Sequence, residues 1–128
     1  MDMRFAPDAV VRWWLRGDLA TTWRQYFRYA RGDAQAGMHP ERHALRFGTY
    51  AGLWLAMGSS RTWPKLLAGA GAVAYARTPV HRGWASARDD RERALATVAV
   101  PALMAFTDVA KMAGYLVGLS ERLGPSRR

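Results

Sequence analysis

The sequence has 128 residues and no cysteine. It is long enough for one compact core, and it excludes a disulfide framework, a thiolate nucleophile and a cysteine-based metal site. Lysine and arginine outnumber aspartate and glutamate by 19 to 10, and all but Lys65 and Lys111 of the 19 are arginine. Because arginine favours bidentate contacts with phosphate, the composition indicates phosphate-rich partners: nucleic acid, anionic lipid headgroups or a nucleotide diphosphate.

Charged and apolar residues are segregated along the chain. Three charge-free stretches cover residues 47–60, 66–76 and 94–107, and arginine and tryptophan lie near their edges. A soluble nucleic-acid-binding domain instead spreads its cations over the polar faces of its helices. The segregation therefore favours a membrane surface, and we expect a lipid bilayer and no nucleic acid among the partners.

The first predicted element is a short β-like run. Residues 9–14 are mostly β-formers, with Pro7-Asp8 before them and Gly17-Asp18 after them. A lone strand leaves its backbone groups unpaired. We expect residues 1–16 either to curl into a helix or to belong to a sheet that the rest of the sequence does not supply.

An amphipathic helix is predicted over residues 19–31, with Asp18 as its N-cap and Gly32 at its end. One face is apolar and largely aromatic, and the opposite face carries Arg24, Gln25 and Arg28. A helix with one aromatic and one cationic face is suited to a membrane interface.

Three further helices are predicted at about residues 43–60, 64–76 and 94–119, with an arginine-rich loop over residues 77–93. Their charge-free cores have 14, 11 and 14 residues, fewer than the roughly 20 of a spanning helix. We therefore expect an all-α, membrane-associated fold with a shallow or re-entrant apolar hairpin. Pro101 is expected to kink the last helix, and Asp108 and Lys111 are spaced to pair within it.

Two spacings suggest contacts or ligands. Gly48 and Gly52, and likewise Gly114 and Gly118, have the small-residue spacing that lets helices approach closely, although a glycine-rich composition also produces it. His39 and His43 lie four residues apart, but Pro40 intervenes and no third ligand is near in sequence. We expect these histidines on the surface or at the interface, and no metal site.

Gln25, Arg28 and Tyr29 form the strongest candidate for ligand contact. At 100° per residue they lie on one side of the predicted helix. A tyrosine ring can stack on a sugar, a guanidinium can bind a diphosphate, and an amide can bind hydroxyl groups. The alternative is an interfacial helix whose polar face carries these residues for solubility alone.

Two segments resemble the C-terminal part of membrane-associated family 2 glycosyltransferases. They are residues 23–34 (WRQYFRYARGDA) and 108–118 (DVAKMAGYLVG), and the resemblance extends over about residues 5–122. Related processive synthases carry a Gln-x-x-Arg-Trp motif on an interfacial helix at the mouth of the active site. Gln25 and Arg28 match it, and Tyr29 replaces the tryptophan. The resemblance implies substrate binding by these three residues, and the tyrosine suits transfer of one or a few sugars.

The resemblance also implies components that this sequence lacks. Family members bind the nucleotide sugar in an upstream α/β domain with a metal-binding Asp-x-Asp motif, and no Asp-x-Asp occurs here. We therefore expect residues 1–18 to be the remnant or exit of a missing catalytic domain and residues 19–128 to be its membrane-associated helical module. The divalent metal and the catalytic residues are expected in the missing domain, and this chain alone is expected to be inactive.

The expected partners are a lipid bilayer, the nucleotide-sugar-binding catalytic domain and a glycan or lipid-linked acceptor, at the bacterial cytoplasmic membrane. Arg24 and Arg31 are expected to contact lipid headgroups or phosphate. The alternative is a small basic membrane protein that scaffolds a partner without sugar chemistry. It would have the same helices.

Overall fold

A computed structural model describes residues 17–124. This part of the chain forms four helices and no strand: α1 (Leu19–Ala36), α2 (Pro40–Gly58), α3 (Thr62–Ser86) and α4 (Asp90–Leu123). The all-α prediction is therefore confirmed. The strand-like run at residues 9–14 lies outside the described residues.

The N-terminus of α1 is capped as predicted, but the helix continues beyond Gly32. The Asp18 carboxylate accepts hydrogen bonds from the Thr21 hydroxyl at 2.6 Å and from the Thr21 backbone N–H at 2.7 Å, and both hold the pKa of Asp18 below its ordinary value. At the other end Gly37 adopts a left-handed conformation (φ 69°), and its N–H donates to the Ala34 carbonyl at 3.2 Å. The helix therefore passes through Gly32 and ends five residues later, where Gly37 supplies the left-handed cap.

Helix α1 packs closely against the C-terminal half of α4. Side chains at Gly114 and Gly118 would overlap with the carbonyl oxygens of Phe27 and Arg31, respectively. Ala30 and Ala34 on α1 and Ala110 on α4 are buried in the same contact. The predicted close approach at Gly114 and Gly118 is thus confirmed. At Gly48 and Gly52 a Cβ atom would meet nothing within 4 Å, so that pair marks no contact among residues 17–124.

The arginine-rich segment predicted as a loop is mostly helical. Only residues 87–89 connect α3 to α4. Near this connection a Cβ atom on Gly83 would lie 3.2 Å from the Ala96 side chain, so the two helices approach closely there. Asp89 caps α4 by accepting from the Glu92 N–H at 2.7 Å. Close packing and the cap together explain why α3 and α4 extend to a connection of only three residues.

The described part of the chain buries no large apolar side chain completely, and α3 contains no buried residue. Many large apolar residues instead point outward, among them Leu45, Trp54, Leu55, Leu66, Val73, Leu95 and Val98. An exposed apolar surface of this extent is typical of a protein that contacts a membrane or a partner.

Helix α4 is long and apolar enough to cross a membrane, by length and composition. Its charge-free stretch ends at Asp108, but that residue is only 3% exposed because it points into the helical assembly. Exposed Val109 and Leu116 continue the apolar outer face beyond Asp108. The sequence count of 14 residues therefore understates the outward-facing apolar length of α4.

Candidate functional site

The residues predicted to bind substrate lie together on α1. The Gln25 side-chain amide donates a hydrogen bond to the Tyr29 hydroxyl at 3.0 Å. Tyr29 is 56% exposed, and Arg28 is exposed without a hydrogen-bond or ion-pair partner among residues 17–124. The three side chains can present an amide, a guanidinium and an aromatic ring to a ligand outside the helix.

The opposite face of α1 is occupied by α4. The Trp23 and Phe106 rings lie 5.3 Å apart between centroids, and the Lys111 ammonium nitrogen lies 4.7 Å from the centre of the Tyr26 ring. These contacts fix which side of α1 faces the assembly. Among residues 17–124, the side bearing Arg28 is consequently the one left open.

The two other arginines predicted to contact phosphate differ from each other. Arg24 is exposed on the open side of α1. Arg31 instead forms a two-pronged ion pair with Glu121, with nitrogen–oxygen distances of 2.7 and 2.8 Å. Gln35 donates to the same carboxylate at 2.7 Å. Arg31 thus links α1 to α4, so Arg24 and Arg28 are the exposed cations of this region.

A group of polar side chains around the buried Asp108, here called the Asp108 cluster, joins α2, α3 and α4. One Asp108 oxygen lies 2.9 Å from the Arg46 Nε atom and 3.5 Å from the Lys111 ammonium nitrogen. The other accepts hydrogen bonds from the hydroxyls of Tyr75 at 3.1 Å and Tyr50 at 3.4 Å. Both carboxylate oxygens are therefore fully engaged, and the cluster acts as a clamp between helices.

His43 extends the Asp108 cluster to α1. The Arg46 guanidinium donates to the His43 Nδ1 atom at 3.3 Å, and the His43 Nε2 atom lies 3.3 Å from an Asp33 oxygen. Because a guanidinium can only donate, Nδ1 must accept and Nε2 must carry the proton. The imidazole also stacks on Tyr115, with the ring centroids 4.0 Å apart. His43 therefore bonds as a neutral ring.

The environment of His43 opposes its protonation. The residue is 4% exposed, and burial lowers its pKa below the ordinary value of 6.5, an effect that the hydrogen bond to Asp33 only partly offsets. The prediction that His43 lies on the surface or at the interface is wrong. No metal-binding group of three or more His, Cys, Asp or Glu residues occurs among residues 17–124.

Sequence reasoning anticipated one contact of the Asp108 cluster and missed the others. The Asp108–Lys111 pair is present as its spacing indicates, but Arg46, Tyr50 and Tyr75 come from distant helices. An aspartate within an apolar helix was the available signal, because such a residue usually faces the interior and has a partner there.

Comparison of the chain with protein-family models, curated proteins and solved structures gives no match.

Proposed function

We propose that this chain is the membrane-anchoring and acceptor-side module of a family 2 glycosyltransferase. In this proposal a separate nucleotide-sugar-binding domain supplies the donor, the divalent metal and the catalytic residues. The observation that carries the proposal is the placement of Gln25, Arg28 and Tyr29 on the open side of a helix held firmly against α4.

Membrane anchoring is supported by the outer surfaces of α2, α3 and α4. Exposed apolar side chains cover each of these helices, and α4 is long and apolar enough to span a bilayer. Burying such side chains in lipid is favourable at roughly 25 cal/mol per Å². We place the chain in a bacterial cytoplasmic membrane, because a nucleotide-sugar donor is made in the cytoplasm.

Acceptor-side binding is supported by the chemistry of the open face of α1. A sugar ring can stack on exposed Tyr29, whose hydroxyl is oriented by the Gln25 amide at 3.0 Å. Arg28 can hold a phosphate of the donor or of a lipid-linked acceptor. The close contact between α1 and α4 would keep these groups at a fixed position relative to α4.

The test is to express the chain with and without its upstream coding sequence and to assay membrane fractions for nucleoside diphosphate release from nucleotide sugars supplied singly. We expect release only when the upstream domain is present. Arg28→Ala should then reduce the rate about 10- to 100-fold, the effect of losing one charge-assisted hydrogen bond. Arg61→Ala, on the turn between α2 and α3, is the matched control and should leave the rate unchanged.

Two outcomes would contradict the proposal in different ways. Membrane binding without release from any donor, even with the upstream sequence, would favour a membrane scaffold that has no sugar chemistry. Release that is equally fast in the Arg28→Ala and Arg61→Ala variants would support the assignment as a glycosyltransferase but contradict the role of α1 in binding substrate.

A further inference from the structure

A cleft of about 430 Å³ lies between α3 and α4 near the connection that joins them. It is far along α4 from the contact with α1. Its lining residues combine an aromatic ring, a cation, a histidine and a hydroxyl, and they are His81, Trp84, Ala85, Arg93, Ala94 and Thr97. We propose that this cleft binds the phosphate of an anionic phospholipid headgroup.

The cleft is built on a fixed aromatic side chain. The Trp84 indole N–H donates to the Thr97 hydroxyl at 3.0 Å, and that hydroxyl donates to the Arg93 carbonyl at 2.9 Å. Close approach of the two helices at Gly83 supports this arrangement. The hydrogen bond therefore orients the indole, while Trp84 as a whole remains 44% exposed.

The cleft lies at the edge of the apolar surface of α4. The charge-free stretch begins immediately after Arg93, and its first outward side chains, Leu95 and Val98, are 66% and 70% exposed. With Leu95 and Val98 among the acyl chains of a bilayer, Arg93 and Trp84 would lie at the level of the lipid headgroups. Tryptophan and arginine are the side chains that favour this depth.

The charges in the cleft suit a phosphate. The Arg93 side chain is 55% exposed, and one of its terminal nitrogens lies 3.1 Å from Asp90, whose side chain is 97% exposed. An ion pair this exposed contributes little free energy, so Arg93 can bind a phosphate oxygen with its other donors. His81 adds a second donor, and the indole ring faces the apolar part of the lipid.

A phospholipid fits these observations better than a soluble phosphate. The cleft is open, its own lining includes the indole of Trp84, and the exposed Leu95 and Val98 follow Arg93 within two turns of α4; a soluble ion would leave these apolar side chains uncovered. A phospholipid can place its phosphate on Arg93 and its acyl chains on the apolar side chains, so both contacts contribute to its binding. The inference does not depend on sugar chemistry and applies equally to a membrane scaffold.

The test measures binding of the purified full chain to vesicles of phosphatidylcholine alone and of phosphatidylcholine with an equal part of phosphatidylglycerol. We expect tighter binding to the anionic vesicles. Arg93→Gln should reduce the ratio of binding to anionic and to neutral vesicles about three- to tenfold, the effect of one charge-assisted contact. Arg91→Gln is the matched control: it removes the same charge from an exposed residue outside the cleft and should change the preference by less than about twofold.

A second variant tests the fixed indole. Trp84→Phe keeps an aromatic ring but loses the donor to Thr97, and it should reduce the anionic preference while leaving binding to phosphatidylcholine unchanged. Equal losses for Arg93→Gln and Arg91→Gln would overturn the proposal, because they would indicate diffuse attraction only. Full displacement of Arg93-dependent binding by soluble glycerol phosphate would also overturn it, in favour of a site for free phosphate.

Discussion

Helices α1 and α2 both contact the C-terminal half of α4, but they do so by different means. The backbone of α1 lies directly against the backbone of α4 at Gly114 and Gly118. Contact with α2 instead depends on long polar and aromatic side chains, including Arg46 on Asp108 and His43 on Tyr115. Small residues and polar clamps are the two devices by which helices associate in lipid, where apolar burial between helices gains little.

The difference has a consequence for how firmly each helix is held. Close backbone packing depends on shape and is insensitive to charge, and the Arg31–Glu121 pair between α1 and α4 is exposed and contributes little, so α1 should respond less than α2 when the pH or the ionic state changes. The contact of α2 depends on charges that balance, with Arg46 and Lys111 facing Asp108, and His43 facing Asp33 of α1. Loss of any one of them should therefore loosen α2 before α1.

The largest expected effect follows replacement of the central carboxylate. Asp108→Asn should reduce the free energy of unfolding by about 3–5 kcal/mol, because Arg46 and Lys111 would keep their positive charges without a counter-ion. Thermal unfolding in detergent measures the loss, and limited proteolysis at residues 37–39 and 59–61 should show earlier cleavage around α2. The control is Asp90→Asn, at a side chain that is 97% exposed; equal melting of the two variants would refute the clamp.

Much of the fold could be predicted because its causes are local. Asp18 caps α1 through a residue three positions away, and the spacing of Gly114 and Gly118 identifies a face for close packing before its partner is known. The Asp108 cluster has non-local causes. Arg46 and Tyr75 lie 62 and 33 residues from Asp108, and only the pairing of the helices brings them together. For the same reason the burial of His43 was not evident in the sequence.

A somewhat smaller effect is expected at the close contact of α1 with α4. Gly114→Val would place a side chain on the Phe27 carbonyl, which cannot move without shifting α1, and should cost about 2–3 kcal/mol of folding free energy. Gly48→Val is the matched control: it introduces the same residue into a helix with open space around it, and should change stability by no more than about 0.5 kcal/mol. Similar melting temperatures for both variants would contradict the close packing.

The smallest effect concerns pH and separates the two contacts most clearly. His43 precedes the apolar stretch of α2 and faces Asp33 of α1, Arg46 of its own helix and Tyr115 of α4. Because burial lowers its pKa below 6.5 in the folded state, the unfolded chain takes up the proton first. The stability that the neutral ring provides is complete above the unfolded pKa of about 6.5 and is lost as the pH falls through the lower folded pKa.

Melting temperatures measured across this pH range should therefore fall on acidification in the wild-type chain. His43→Gln should reduce that fall, since glutamine can donate to Asp33 and accept from Arg46 without titrating. His81→Gln, at an exposed histidine, should leave the fall unchanged. If the decline survives in His43→Gln, the neutral imidazole is not its cause. If it disappears while the effect of Gly114→Val stays the same at both ends of the range, the pH sensitivity belongs to the α2 contact and the α1 contact is independent of it.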